Sequence, residues 1–248
     1  MPLFHLSRDF DFGEGNAEAM RWGAVVVAAG RGTRMGAADN KPYLPIAGRP
    51  VLAYTLEAFE RCDAVETVVI VAAPGEEERA RELVAKEGFR KTAAVVTGGA
   101  ERQDSVLAGV NALDTDGVLV HDAARPLVEP ERIAACCRSA EENGAAALAV
   151  PVKDTIKVTD KDGFMVATPD RSALWAVQTP QAFARAELIE AHRLAREAGA
   201  AATDDTMLME LLGRTVAVVP GDYRNLKITT PEDLLVAELF LGRRQEEK

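Results

Sequence analysis

Three glycines and three cations crowd the segment that follows the first apolar run of the chain. Gly30, Gly32 and Gly36 fall within seven residues, which leaves backbone amides open to a ligand. Arg31, Arg34 and Lys41 stand in a twelve-residue window whose only acid is Asp39. Phosphate neutralisation is the natural use of such a window in a chain of formal net charge −10. A glycine turn carrying solvated basic residues is the plain alternative. A dinucleotide fingerprint does not fit, because Met35 stands where a glycine is needed and Ala72, Ala73 and Pro74 replace the acid that would hold a ribose. A Walker motif is excluded as well, since no G-K-[ST] follows. What remains suits a triphosphate with pyrophosphate as leaving group.

A second stretch, VLVHDAARP over 118–126, ends an apolar run on Asp122, with Arg125 three residues later and Pro126 fixing the exit. A carboxylate at the end of a strand can hold Mg²⁺ against phosphate oxygens, because that ion takes one or two carboxylates and completes its shell with phosphates and water. The competing reading makes Asp122 a turn cap and Arg125 its ion-pair partner. His121 reads as a partly buried strand residue and receives no role.

The elements that must position these groups follow from hydrophobic pattern. From Gly23 short β-branched runs alternate with longer helical patterns, the signature of a mostly parallel sheet with crossover helices. Strands are expected at 23–29, 66–73, 93–99, 117–122 and 145–150, and helices at about 50–61, 76–87, 103–113 and 130–142. The glycine loop and Asp122 then both lie beyond the carboxyl ends of strands, where doubly wound α/β folds bind ligands. The rhythm changes at residue 151. Two β-branched runs flank Lys161, Asp162 and Gly163, a strong hairpin signal, so 151–172 is read as a projecting β-arm. A lone hairpin is marginal in water, and a second copy of the chain is its expected cover. Helices near 183–198 and 204–212, a strand at 215–219 and a helix from Pro231, with Thr230 as its N-cap, complete the chain.

Composition narrows the partners. The 39 acidic and 29 basic residues argue against a broad footprint for nucleic acid or anionic lipid. No apolar run approaches the length of a membrane span, and Cys62, Cys136 and Cys137 show neither disulfide nor zinc spacing. A cytoplasmic protein with no membrane partner is expected, with residues 1–20 a disordered extension and 21–248 a single nucleotidyltransferase domain.

The order of AAGRGTRMG, KPYLPIAGRPVL, GGAERQDSVLAGV, VHDAARPLV, PVKDTIK, WAVQTPQAF, TDDTMLME and NLKITTPEDL closely resembles the 2-C-methyl-D-erythritol 4-phosphate cytidylyltransferase family, from about Gly23 to Leu241. The resemblance implies a Rossmann-like α/β core, a homodimer formed through the arm, and joining of CMP from CTP to a polyol phosphate with Mg²⁺. It implies that Arg34, Lys41 and Lys227 meet the phosphates and that Asp122 holds the metal. Ala28, Ala29, Gly30, Gly99 and Ser105 would surround the cytidine, with Gly32 in the phosphate loop; Ser105 also reads simply as a hydroxyl near a helix start. Thr155, Arg171, Thr179 and Thr203, together with Arg125, would serve the acceptor, and Thr155 and Arg171 would reach the neighbouring subunit's pocket. Relatives often carry a polar residue where Ala100 stands. A ribitol 5-phosphate cytidylyltransferase, an NAD(P)-dependent oxidoreductase and a nucleotide-binding regulator without turnover are the alternatives. The chain ends soon after its last helix, so no fused second enzyme of the pathway is expected.

Overall fold

A computed structural model describes residues 20–30 and 39–246 of the chain. The expected N-terminal extension (apart from Met20) and the phosphate-loop residues Gly32 and Arg34 lie outside the described residues.

In chain order the elements are β1 (Trp22–Val27), the short ribbon β2 (Pro45–Ile46) and β3 (Arg49–Pro50), α1 (Val51–Glu60), β4 (Val65–Ala72), α2 (Glu77–Glu87), β5 (Thr92–Thr97), α3 (Arg102–Asn111), β6 (Gly117–Asp122), α4 (Pro130–Asn143) and β7 (Ala145–Pro151). Then follow β8 (Val158–Thr159), β9 (Met165–Ala167), β10 (Trp175–Ala184), α5 (Arg185–Glu197), α6 (Asp205–Leu211), β11 (Ala217–Pro220) and α7 (Pro231–Glu246). Seven strands form one sheet in the order β11-β7-β10-β6-β1-β4-β5. All its neighbouring pairs run parallel except those made by β10, so the sheet is the mostly parallel one expected.

The central strands β1, β4 and β6 are nearly continuous apolar runs because helices cover both of their faces. One face packs Leu52, Leu56, Phe59 and Ile133 from α1 and α4; the other packs Val106, Val110, Leu188 and Met209 from α3, α5 and α6. The sheet's order reverses between β1 and β6. There Val27 pairs in register with both Val71 of β4 and Asp122 of β6, which places Asp122 at the topological switch point. Helix α3 approaches the sheet unusually closely. A Cβ on Gly109 would stand 2.4 Å from Val25 Cγ1, so only glycine lets the helix settle, and the helix start is thereby carried over the strand ends.

The expected strands and helices occur within a few residues of their positions, with one omission. The ten-residue strand β10 inserts antiparallel between β6 and β7, where the sequence reading places no element before a helix at 183. Pro180 and the polar residues Gln178, Thr179 and Gln181 interrupt the apolar alternation that would reveal it. The ladder to β7 accommodates them by an irregularity between Val177 and Gln181, and α5 accordingly starts at Arg185.

The hairpin expected around Asp162-Gly163 is present as β8 and β9. Its turn is held by Asp160, whose Oδ1 accepts from the amides of Asp162 and Phe164, while Gly163 supplies the left-handed φ of +88°. Ile156, Val158, Phe164, Met165 and Val166 along the arm are exposed. At the far end of the chain α7 starts at Pro231 with Thr230 at the N-cap position, as expected, and the carboxylate of Asp233 at the third helical position reaches back to accept from the amides of Thr229 and Thr230 at 2.8 Å.

Candidate active site

A cavity of about 660 Å³ opens at the carboxyl ends of β1, β5 and β6. Ala28, Ala29 and Gly30 form one wall directly after β1, and Gly98, Gly99 and Ala100 form the facing wall after β5. The two walls touch: a Cβ on Gly98 would lie 2.4 Å from the Ala29 methyl, and one on Gly99 would lie 2.3 Å from Asp104. Ser105 fixes this corner. Its Oγ accepts from the Gly99 amide and donates to the Glu101 carbonyl, both at 3.1 Å. The hydroxyl thus ties a helix start to a glycine turn, which is the simpler of the two readings given to it, and it also lines the cavity.

Lys41 lines the opposite side. It opens a short 3₁₀ turn capped by the Asn40 side chain, and the segment before it is clasped to α2. Both oxygens of Asp39 accept from Arg79 at 2.6 Å, Asn40 Nδ2 donates to Glu76, and Arg79 lies 4.0 Å from the centre of the Tyr43 ring. The one acid of the glycine-loop window is thereby neutralised outside the loop.

Asp122 is the electrostatic centre. It is buried, and Lys227 Nζ lies 2.8 Å from its Oδ2, with Arg125 Nε at 3.7 Å from that oxygen and Arg102 Nε at 3.7 Å from Oδ1. Burial alone would raise its pKa, but Lys227 and then Arg102 and Arg125 outweigh burial and hold the carboxyl down at about 2. Lys227 arrives from the loop before α7, anchored by a small separate core of Ile46, Val51, Leu127, Ile228, Ala237 and Leu241 and by the Ile228 amide donating to the Ala124 carbonyl at 2.8 Å.

The cavity therefore gathers Ala28, Ala29, Gly30, Lys41, Gly99, Ser105, Asp122 and Lys227, eight of the residues singled out in the sequence. Arg125 does not line it. That guanidinium is turned inward, pairing with Asp122 and donating to the Asn225 carbonyl at 2.7 Å, as the ion-pair reading has it. Thr155 and Arg171 lie on the exposed arm, where Arg171 Nη1 donates to the Lys153 carbonyl at 2.8 Å, and Thr203 is exposed just before α6. Ala100 offers the cavity only a methyl group.

Thr179 is buried and already engaged. Its Oγ1 accepts from the Asp122 amide at 3.1 Å and lies 3.0 Å from His121 Nδ1, while His121 Nε2 lies 3.2 Å from the Arg125 carbonyl. A carbonyl accepts only, so Nε2 carries the imidazole proton and Thr179 donates to Nδ1. Burial first of all keeps this ring neutral, with its pKa lowered to about 4. His121 thus has a structural task, closing the turn that carries Asp122 and Arg125 onto β10.

Two charged residues went unnoticed in the sequence. Arg102 lines the cavity and forms an ion pair at 2.8 Å with Asp205, which is 1% exposed. A signal was available: an arginine in the first turn of a helix opposes the helix dipole and calls for an anion nearby. Asp205 gave no comparable signal, since Asp204 beside it takes the visible capping role and accepts from the Met207 amide.

The arrangement matches known proteins across most of its length. The family model for 2-C-methyl-D-erythritol 4-phosphate cytidylyltransferase covers residues 23–243. A protein of that name from Pelotomaculum thermopropionicum is 55% identical over 225 residues, spanning 90% of this chain and 94% of its own. Another from Caldanaerobacter subterraneus subsp. tengcongensis is 50% identical over 227 residues, spanning 90% of this chain and 100% of its own. Among solved structures, 4-diphosphocytidyl-2C-methyl-D-erythritol synthase from Anaerococcus prevotii superimposes with a TM-score of 0.81 at 30% identity, covering 90% of this chain and 97% of its own. The 2-C-methyl-D-erythritol 4-phosphate cytidylyltransferase of Thermus thermophilus gives 0.73 at 35% identity, covering 88% and 98%.

Proposed function

Since the chain belongs to the 2-C-methyl-D-erythritol 4-phosphate cytidylyltransferase family, we propose that its own cavity at the β1–β6 switch point is where CMP passes from CTP to 2-C-methyl-D-erythritol 4-phosphate. The activity is that of a nucleotidyltransferase. The observation that carries the assignment of place is the pair of cations, Lys227 and Arg102, beside buried Asp122 in a cavity that glycine, alanine and Ser105 also line.

An oxygen of the acceptor phosphate attacks the α-phosphorus of CTP, the bond from that phosphorus to the β-phosphate oxygen breaks, and pyrophosphate leaves. The nucleophile is already anionic, so no strong base is required. Catalysis reduces to aligning two polyanions and neutralising their repulsion. Lys41 and Lys227 face the cavity for that purpose, with Arg34 the third cation assigned to the phosphates. Ala28, Ala29, Gly30, Gly99 and Ser105 form a narrow slot that admits a pyrimidine, and Gly32 belongs to the phosphate loop before Lys41.

Asp122 suits Mg²⁺: it is an ionised oxygen donor, and among the described residues no group of three His, Cys, Asp or Glu could bind a metal by itself. The ion would therefore draw its remaining ligands from water and the triphosphate, its usual habit, and would supply charge neutralisation to the phosphates there.

The acceptor's far end is assigned to Thr203, and to Thr155 and Arg171 of a partner subunit in a homodimer, while the Thr179 hydroxyl and the Arg125 guanidinium brace Asp122 from behind. Support for the dimer is the exposed apolar run of the arm, with Phe164 71% and Met165 73% exposed, and the position of Thr155 and Arg171 away from the cavity lining of their own chain. A cytoplasmic setting is supported by three free, buried cysteines, burial pushing the Cys136 thiol up to about 12. Among the described residues no helix is long and apolar enough to cross a membrane.

The test is pyrophosphate release with Mg²⁺, each of CTP, UTP, ATP and GTP, and either methylerythritol phosphate or ribitol 5-phosphate. Release is expected with CTP and methylerythritol phosphate alone. Its absence with that pair removes the assignment.

A further inference from the structure

Among the described residues, Arg102 is the cation of this cavity that no role yet explains. It occupies the first position of α3, where the helix dipole opposes a positive charge, and it lines the cavity. It is held there by Asp205, a carboxylate 1% exposed in the first turn of α6, at 2.8 Å. Burial raises the Asp205 carboxyl above its ordinary range while Arg102 opposes that rise. The contact from Arg102 to Asp122 is of another kind. At 3.7 Å it lies beyond hydrogen-bond reach, an attraction that a closer anion can displace.

The two helices give the pair its meaning. The start of α3 carries the nucleotide wall, with Gly99 and Ser105, and the start of α6 follows Thr203 on the acceptor side. Arg102 spans the seam between them. It approaches Asp122 from Oδ1, whereas Lys227 approaches from Oδ2, so two cations flank the carboxylate from its two oxygens. Burying an ion pair brings little net stability, and well-packed apolar residues often replace one without loss. Rigid presentation of a planar guanidinium to phosphate oxygens is what such a pair does supply.

We propose that Arg102 is a further catalytic residue, whose guanidinium contacts oxygens of the phosphates that meet at the seam, and that Asp205 is the positioning residue that aims it. The inference rests on the reading of the cavity given above. Wild-type turnover of CTP and methylerythritol phosphate is therefore measured first, and its absence counts against that reading rather than against Arg102.

The experiment compares Arg102→Met, Arg102→Lys, Asp205→Asn and the double variant Arg102→Met/Asp205→Leu by kcat, by KM for both substrates and by melting temperature. Arg102→Met is expected to lower kcat about 100-fold, in the manner of a lost transition-state donor, and to lower the melting temperature by stranding Asp205. Arg102→Lys retains more activity than Arg102→Met. Asp205→Asn lowers kcat severalfold with little change in KM for CTP, because the charge remains but is no longer aimed. The double variant regains thermal stability while kcat stays about 100-fold down. Recovery of kcat to within threefold of wild type in the double variant overturns the proposal, since Arg102 would then only neutralise Asp205. Should the double variant not fold, added guanidine is given to Arg102→Ala; restored turnover supports the proposal, and no response overturns it.

Discussion

Around Asp122 the buried carboxylates meet their counter-ions within the same chain: Lys227, Arg102 and Arg125 surround Asp122, and Arg102 pairs with Asp205. Along the arm the balance is reversed, for Ile156, Val158, Phe164, Met165 and Val166 stand in water. The difference separates two kinds of incompleteness. The strand-end cavity has the charges of its described residues preorganised for a polyanion, which is how electrostatic catalysis avoids reorganisation during reaction. The arm lacks a surface, and a second copy of the chain is the cover we assign to it.

Breaking the first region should have the largest effect. Asp122→Asn is expected to lower kcat by about 10²–10³-fold with the secondary structure retained, checked by steady-state pyrophosphate release and circular dichroism. Lys41→Ala should cost on the order of 10²-fold in the same assay. If either variant turns over at the wild-type rate, the cation ring is structural only.

The second region is sharpened by subunit mixing. Lys41→Ala and Arg171→Ala should each be inactive alone, and mixing them should restore about a quarter of wild-type activity if Arg171 acts in the neighbouring pocket, because random pairing leaves one intact site in half of the dimers. Phe164→Asp with Met165→Asp should shift sedimentation to the monomer. Failure to complement, with dimers still formed, would reduce the arm to a structural contact.

A smaller effect is expected at the corner between the walls. Ser105→Ala removes the acceptor for the Gly99 amide and should raise KM for CTP about fivefold, near 1 kcal/mol, with kcat little changed. The smallest effect on activity is expected at His192, buried on α5 with neither ring nitrogen hydrogen-bonded among the described residues, where the change falls on stability instead. Burial, then the nearby Arg102 and Arg196, lowers its pKa to about 4. In the unfolded chain the imidazole takes a proton near about 6.5, so the unfolded state binds more protons between these values. Its contribution is therefore full above about pH 6.5 and is lost as pH falls towards 4, on the order of 1–3 kcal/mol. His192→Leu should flatten melting temperature against pH across that window.

Much of this molecule is legible in its letters because its central strands are buried on both faces and read as unbroken apolar runs. Asp122 and Lys41 were legible too, one as an acid ending such a run and the other as a cation following glycine. Strand β10 was not, since its polar residues point into a hydrogen-bonded network, Gln178 with Asn225 and Gln181 with Asp204, that exists only once distant segments meet. Arg102 and Asp205 were hidden for a related reason. Their 103-residue separation in the chain closes to an ion pair only when α3 and α6 both sit on the same face of the sheet.

A crystal structure of the chain soaked with CTP and Mg²⁺ would show whether the nucleotide's phosphates lie in the cavity between Lys41 and the Asp122 cluster. Cytosine is expected against Gly99 and Ser105, with the triphosphate reaching Lys41 and its α-phosphate beside Arg102 and Lys227. A nucleotide bound elsewhere, or phosphates pointing away from Asp122, would contradict this placement.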